Sequence, residues 1–484
     1  MAENGVNRGF AEWVGSVSRR TNRSMAGSRI HLHDDDPLLR LRAAAWGIVP
    51  VEDDEAADMD SAAGTPDARS MTGPEAIDHA RGSMPVLHRL MGDLRNEVGF
   101  AGVRIAACLI LEPKTTVFLE ELADAGAVVG VFCGPDSTDE RVIRDLRGHG
   151  VTVRADRRWD SDQAHEAALG LLDEIGPDVI VDDGASFARL TSMERPSMAR
   201  GLLGVAEETT SGVRAFTAMQ AAGDLDYPVV AVNDSPLKTG FDNAHGTGET
   251  CVTTIQGVLG DDWMAGRRVT VIGYGPVGRG FALRARAIGA RVTICDIDPV
   301  AALRAVFEGF PAQDLRTVLP TTDLLVSATG VRHTVGLDEL GAMHEGAVLA
   351  VIGGIANELP LDEIPGFVDE PGRRTRGLRI PGGPRLVLIA EGDGVNYTIG
   401  GGNPIDVMDL SFSVQAAAVA QLIAHGRGMP PAVHRLDDAM ARRIASIALE
   451  ARGFQARTGR ADAAYDWRLT RFADAPRPTE RHRR

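Results

Sequence analysis

Three glycines in VTVIGYGPVGRG, namely Gly273, Gly275 and Gly278, follow an apolar run and precede FALRARAIG in the order G-x-G-x-x-G. At that spacing the first permits a tight turn, the second lets a pyrophosphate lie against the backbone, and the third lets helix and strand pack closely. The helix that follows offers unpaired N–H groups and a positive dipole end to phosphate charge. The next apolar run ends at Asp296, 18 residues after Gly278, where a carboxylate takes a ribose 2′-hydroxyl. That carboxylate would repel a 2′-phosphate and no arginine follows within residues 296–300, so NAD rather than NADP is the expected cofactor. Val277, inside the turn, and Thr329, in DLLVSATG, join the cofactor-binding candidates. A second group of reactive residues sits in VDDG at 181–184, EETTSG at 207–212 and NDSPLKTGFDN at 233–243. Each follows an apolar run and so lies at the carboxyl edge of a parallel sheet, where α/β proteins place ligands. Asp, Asn, Ser and Thr also favour plain turns and caps, which is the simpler reading of any one of them.

The elements that position these residues are legible as a series. VRIAACLIL, VVGVFC, VTVRAD, DVIVDDG and PVVAVND read as buried strands with helices such as TTVFLEELADAG between them. A second series starts at RRVTVIGYG and runs through ARVTICDID, DLLVSATG and GAVLAVIGG. Buried strands alternating with helices imply parallel sheets, and two series imply two lobes. A helix over 250–259 connects the lobes, and SFSVQAAAVAQLIAHG reads as an amphipathic helix ending at Gly426. Acidic runs at 34–36 and 52–55 and a Ser/Gly/Ala/Asp-rich stretch at 58–72 make residues 1–75 read as a disordered extension.

Composition bounds the function. The 484 residues, 44% hydrophobic and 24% charged, suit an ordinary folded protein of about three domains. With 51 Lys and Arg against 67 Asp and Glu, the net charge of −16 excludes broad electrostatic capture of nucleic acid or anionic membrane. Small-molecule chemistry is the default that is left. No stretch reads as the ~18–20 apolar residues that span a bilayer, the nearest being 346–355 and 417–423. Residues 1–20 lack the apolar centre of a secretory signal. Cys108, Cys133, Cys251 and Cys295 are widely spaced, with no CxxC pair, and read as reduced thiols of a cytoplasmic protein that needs no metal.

GVAEETTSGV, VNDSPLKTGFDN, VIGYGPVGRG, DIDPVAALRA and LIAEGDGVN resemble, in order and interval, the S-adenosylhomocysteine hydrolase family, over about residues 83–426. The resemblance implies an α/β fold of two doubly wound lobes, with a Rossmann NAD-binding domain inserted in a substrate-binding domain. It divides the chain into an extension at 1–75, a first part of the substrate domain at 76–234, the NAD domain at 235–403, a return helix at 404–450 and a C-terminal arm at 451–484. It implies tightly held NAD, transient oxidation of a nucleoside 3′-hydroxyl, loss of the 4′-proton, and elimination or addition at C5′. By the same resemblance Lys238 and Asp242 assist the oxidation, with Lys238 a proton acceptor of lowered pKa and Asn243 beside them. Asp183 matches a carboxylate at the 5′ side, and Glu208 an acid that orders Lys238 and Asn233. Thr209, Thr210, Ser211 and Asn396 match groups at the nicotinamide end of NAD.

The chain also departs from the family pattern. In CLILEPKTT, Ile110 stands where the family has a histidine acting at C5′, Glu112 where it has a threonine, and Lys114 where it has an adenine-reading glutamate. Gly354 in VIGGIAN and Asn403 in IGGGNPIDVM each replace a further histidine, and RPTERHRR lacks the family's Lys and Tyr arm. The oxidation apparatus is kept while substrate contacts change. The expectation is therefore an adenosylhomocysteinase-like enzyme, hydrolase or lyase, on an altered ribonucleoside, for instance by 4′,5′ dehydration or hydration. Ordinary S-adenosylhomocysteine hydrolysis with displaced groups, and a non-catalytic NAD-bound protein, are the alternatives. His245 is a candidate replacement acid. A small-molecule nucleoside is the expected partner, with no nucleic acid or membrane. A homo-oligomer is expected, a tetramer by the resemblance.

Overall fold

The computed structural model describes residues 2–32, 36–51, 57–58, 67–370 and 372–456. Two large sheets organise it. The first has seven parallel strands in the order 433–434, 229–231, 204–207, 179–182, 104–108, 128–132 and 152–154. The second has six, in the order 291–295, 268–272, 324–327, 348–351, 385–389 and 375–379, parallel except for the last pair. Helices cover both faces of each, as fully apolar strands such as Val179–Asp182 and Leu324–Ser327 require. The fold is thus α/β with two doubly wound lobes, one of them Rossmann-like.

Two helices join the lobes. Gly248–Leu259 runs from the polar loop into the six-stranded lobe. Ile405–His425 returns, packing on the strand Gly204–Glu207 and the helix Pro85–Glu97. The sequence reads the returning helix as amphipathic and finds no stretch long enough to span a bilayer. In the structure Ile405–Gly428 is long and apolar enough to do so, but 83% of its most apolar window is buried inside the protein. It is a core helix that is apolar nearly all round because the seven-stranded lobe and its helices cover it.

The extension expected to be disordered is built in where it is described. Ala2–Thr21 is a helix, Arg29–His31 and Val49–Val51 pair in parallel, and Pro37–Trp46 is a second helix. Phe10, Val14, Met25 and Trp46 are buried in the core that also holds Val269, Phe281 and Ala285 of the six-stranded lobe. Phe10, Val14 and Val17 recur at helical spacing, a stripe that outweighs the polar composition around it. The runs at 34–36 and 52–55 and the stretch at 58–72 lie mostly outside the described residues, as do the C-terminal arm beyond residue 456 and RPTERHRR within it.

Candidate functional site

The dinucleotide turn is shaped by its glycines. Gly273 has φ +92°, and a Cβ on Gly278 would lie 2.0 Å from the Gly273 carbonyl oxygen, so neither position admits a side chain without movement. A Cβ on Gly275 would meet nothing within 4 Å, which leaves open the space where a pyrophosphate would lie before the helix Pro276–Ala287. Asp296 accepts from Tyr274 N at 2.6 Å and from Asp298 N at 2.8 Å, so the turn and the strand tip hold one another. Val277 is half-buried against the lobe's core. Thr329 is held by Glu358, whose Oε2 accepts from Thr329 N at 3.2 Å, Thr329 Oγ1 at 3.3 Å and Ser327 Oγ at 2.6 Å. The residues present fit NAD.

The polar segments converge at the carboxyl edge of the seven-stranded sheet. Asp182 ends one strand and accepts from Phe187 N and Ala188 N, at 3.1 and 2.8 Å, capping the next helix. Glu207 ends the neighbouring strand and accepts from Gly184 N, Ala185 N and Thr209 N at 2.8–3.0 Å. These two buried carboxylates fix the backbone on either side of Asp183. The Thr209 hydroxyl is spent internally, donating to Glu207 at 2.6 Å and accepting from Gly184 N and Gly212 N. Thr210 donates to Asn233 at 3.1 Å, and Ser211 lies 3.2 Å from the Thr209 hydroxyl.

Lys238 sits at the centre, only 5% exposed. Its Nζ is 2.8 Å from Asp242 Oδ2 and donates to Asn243 Oδ1 at 2.9 Å. Asn243 donates in turn to Asn233 at 3.1 Å. The lysine and carboxylate face one another because the chain from Thr239 to Thr247 winds as a π-helix, a form common at functional sites. Asn403 donates to Asp242 Oδ1 and Ser411 to Oδ2, so the return helix reaches the cluster. Asn396 donates to Asn403 at 2.9 Å. Asp183 and Glu208 complete the setting, and neither carboxyl accepts a side-chain hydrogen bond from a described residue.

Burial is the largest influence on Lys238 and disfavours its charge. Asp242, Glu208 and Asp183 oppose it, and the net effect holds the pKa above the ordinary value. The expected lowered lysine pKa is therefore corrected: Lys238 is an ammonium at rest. The same burial pushes Glu208 up to about 8 despite the lysine, and raises Asp183. His245 is no proton source. Its Nδ1 faces Arg284 Nη2 at 2.7 Å, and burial together with that cation pushes it down to about 4.

At the departures, Ile110 is half-buried, and Gly354 is exposed at φ +91° with nothing within 4 Å of a Cβ. Lys114 is 1% exposed, 2.9 Å from Glu112 Oε2, and donates to Gly401 O at 3.1 Å. Sequence reasoning missed Ser411 and Glu358 as site supports. Nothing local marks them, since each acts through residues far away in the chain.

Residues 243–402 match the family described as S-adenosyl-L-homocysteine hydrolase, NAD binding domain. The S-inosyl-L-homocysteine hydrolase of Methanopyrus kandleri is 36% identical over 79% of this chain and 91% of its own length. The adenosylhomocysteinase of Thermotoga maritima is 36% identical over 79% of this chain and 95% of its own. The S-inosyl-L-homocysteine hydrolase of Methanothermobacter thermautotrophicus is 34% identical over 79% and 92%.

Proposed function

The chain belongs to the S-adenosyl-L-homocysteine hydrolase family, whose cofactor is NAD, and from that premise we propose that it carries out elimination and addition at C5′ of a ribonucleoside whose base is not read as adenine is. NAD, when bound, supplies the acceptor for the C3′ hydride. The chain's own residues move the protons. Lys238, held 2.8 Å from Asp242 and charged at rest, first gives up its proton to solvent, and its neutral amine then takes that of the 3′-hydroxyl as the C3′ hydride departs, which leaves a 3′-ketone. The ketone acidifies C4′–H. Loss of that proton would expel the C5′ substituent with the bonding electrons, water would add across the resulting double bond, and reduction of the ketone, with a proton given by Lys238, would restore the hydroxyl. Half-buried Asp183 and buried Glu208, neither carboxyl with a side-chain hydrogen bond from a described residue, are the groups we assign to the ribose hydroxyls, with Asp183 taking the 4′-proton.

The single observation that carries the altered base is the buried Lys114, paired with half-buried Glu112. An ammonium donates and accepts nothing, so it suits a carbonyl or carboxylate rather than an exocyclic amine. Two similar relatives are named for an inosyl thioether, which supports variation of the base within the family. The equal identity to an adenosylhomocysteinase favours a second reading, ordinary S-adenosylhomocysteine hydrolysis. The test is to give the NAD-loaded protein adenosine, inosine and their homocysteine thioethers and to follow NADH absorbance and thiol release. The expected result is NADH formation with slow turnover of S-adenosylhomocysteine. A turnover near the ~10 s⁻¹ of ordinary enzymes would establish the second reading instead.

A further inference from the structure

Behind Lys114 and Glu112 lies a cavity of about 250 Å³, whose wall also carries Arg19, Arg69, Arg141 and Arg374. It is smaller than the ~300–1,000 Å³ of a whole small-molecule site, and several times the space one water needs. Its inner end touches the site already described. Thr250, in the wall, donates at 3.3 Å to Asn403 Oδ1, and the amide of Asn403 donates to Asp242. Gly400, Gly401 and Gly402 form the wall between, and a Cβ on Gly401 would first meet the Asn22 side chain, at 3.5 Å. The outer side is closed by Ser18, Arg19 and Asn22 of the N-terminal segment, which the Asn22 carbonyl ties to Ile405 N at 2.8 Å.

The lining is cationic. Glu112 is matched by Lys114, Arg19 by Asp261, Arg69 by Asp67 and Arg141 by Asp139. Arg374 gives one N–H to Gly257 O at 3.1 Å and meets no carboxylate among the described residues. Arg69 gives Nε and Nη2 to Asp67, which leaves Nη1 without a described partner. A guanidinium has five donors, and the unspent ones suit a bidentate oxyanion.

We propose that the base pocket continues past Lys114 into this cavity, and that the substrate is a ribonucleoside whose base carries a short anionic arm received by Arg374 and Arg69. The inference rests on the nucleoside reading of the site. The six-membered edge of a purine is the part farthest from its ribose, so an arm on the exocyclic position 6 is the one that enters.

The test uses the NAD-loaded full chain with three probes: adenosine, N6-(1,2-dicarboxyethyl)adenosine and the diamide of the latter. Affinity is measured by calorimetry and redox competence by NADH absorbance. The dicarboxylate should bind at least tenfold tighter than both other probes, and Arg374→Gln, at an exposed position that leaves the core untouched, should cut its preference over the diamide about tenfold. Equal or tighter binding of adenosine, or a preference unchanged in Arg374→Gln, would overturn the inference while NADH formed from adenosine keeps the nucleoside reading. Tight binding of the dicarboxylate with no NADH from any nucleoside would keep the cavity and remove the redox reading. No binding of any of these probes removes the inference, and failure of inosine to bind as well removes the nucleoside reading with it.

Discussion

At the Lys238 ammonium, burial disfavours charge and three carboxyl groups favour it, with the carboxyl groups prevailing. The oxidation step then has a definite pH dependence. A lysine whose pKa is held up is charged at neutral pH, so the share able to accept a proton grows up to tenfold per pH unit below that pKa. Single-turnover NADH formation should therefore rise from pH 6.5 to 8.5, and Lys238→Met should abolish it while NAD and nucleoside still bind. A normal burst from the folded Lys238→Met variant would refute the role. The second prediction at this scale concerns Asp296. Loss of a hydrogen bond to a charged group is worth ~1.5–3 kcal/mol, so Asp296→Ala should weaken NAD about 10–100-fold by calorimetry and narrow its advantage over NADP. Tighter native binding of NADP would contradict the assignment. The types and spacing of Lys238, Asp242 and the motif glycines are plain in the sequence. The charge state of Lys238 is not, because Asp183 and Glu208 reach it from 55 and 30 residues away.

Among the elements, the strands are legible because a strand buried on both faces is apolar throughout, as LLVS and VIVD are. The N-terminal helix is hidden by its polar composition, although Phe10 and Val14 are as buried as any strand residue. The π-helical segment Thr239–Thr247 leaves no mark on periodicity either, since so short a stretch shifts only a few side chains. Its placement depends on glycines in other elements. A Cβ on Gly280 would lie 1.9 Å from the Ala244 carbonyl oxygen, and one on Gly248 would lie 2.7 Å from the Gly280 carbonyl carbon. The helix that begins at the dinucleotide turn thus rests directly on the loop that carries Asp242. Gly280→Ala must push the two apart, at an overpacking cost of ~1–3 kcal/mol. We expect a lower urea midpoint together with slower NADH formation, because the separation falls between cofactor and lysine. An unchanged rate in the folded fraction would show that the contact only supports the fold.

Over the whole molecule, the buried acids set how stability answers to pH. Burial pushes Glu208 up to about 8 and Asp409 up to about 7, and it raises Asp183 and Asp182 as well. Asp409 is structural, accepting from Val86 N at 3.0 Å and Leu87 N at 2.7 Å at the start of a helix that packs on the return helix. In each case the folded-state pKa lies above that of the unfolded chain, so the native state binds more protons than the unfolded state between the two values. Stability must fall as pH rises through that interval. His245 acts in the opposite sense. Its pKa is depressed to about 4, so its contribution is gained as pH rises towards ~6.5 and is complete above it. Lys238, with its raised pKa, changes charge only far above neutral. The window from pH 6.5 to 8 therefore isolates the acids. There the urea midpoint of the NAD-free protein should drop steadily, by on the order of 1 kcal/mol per pH unit for each group still titrating. Glu208→Gln should flatten the slope across the whole window and Asp409→Asn only its part below about pH 7. A midpoint that climbs between pH 6.5 and 8 would mean that these carboxyl groups are ionised in the fold, and that Glu208 enters the reaction as a base with no proton to give.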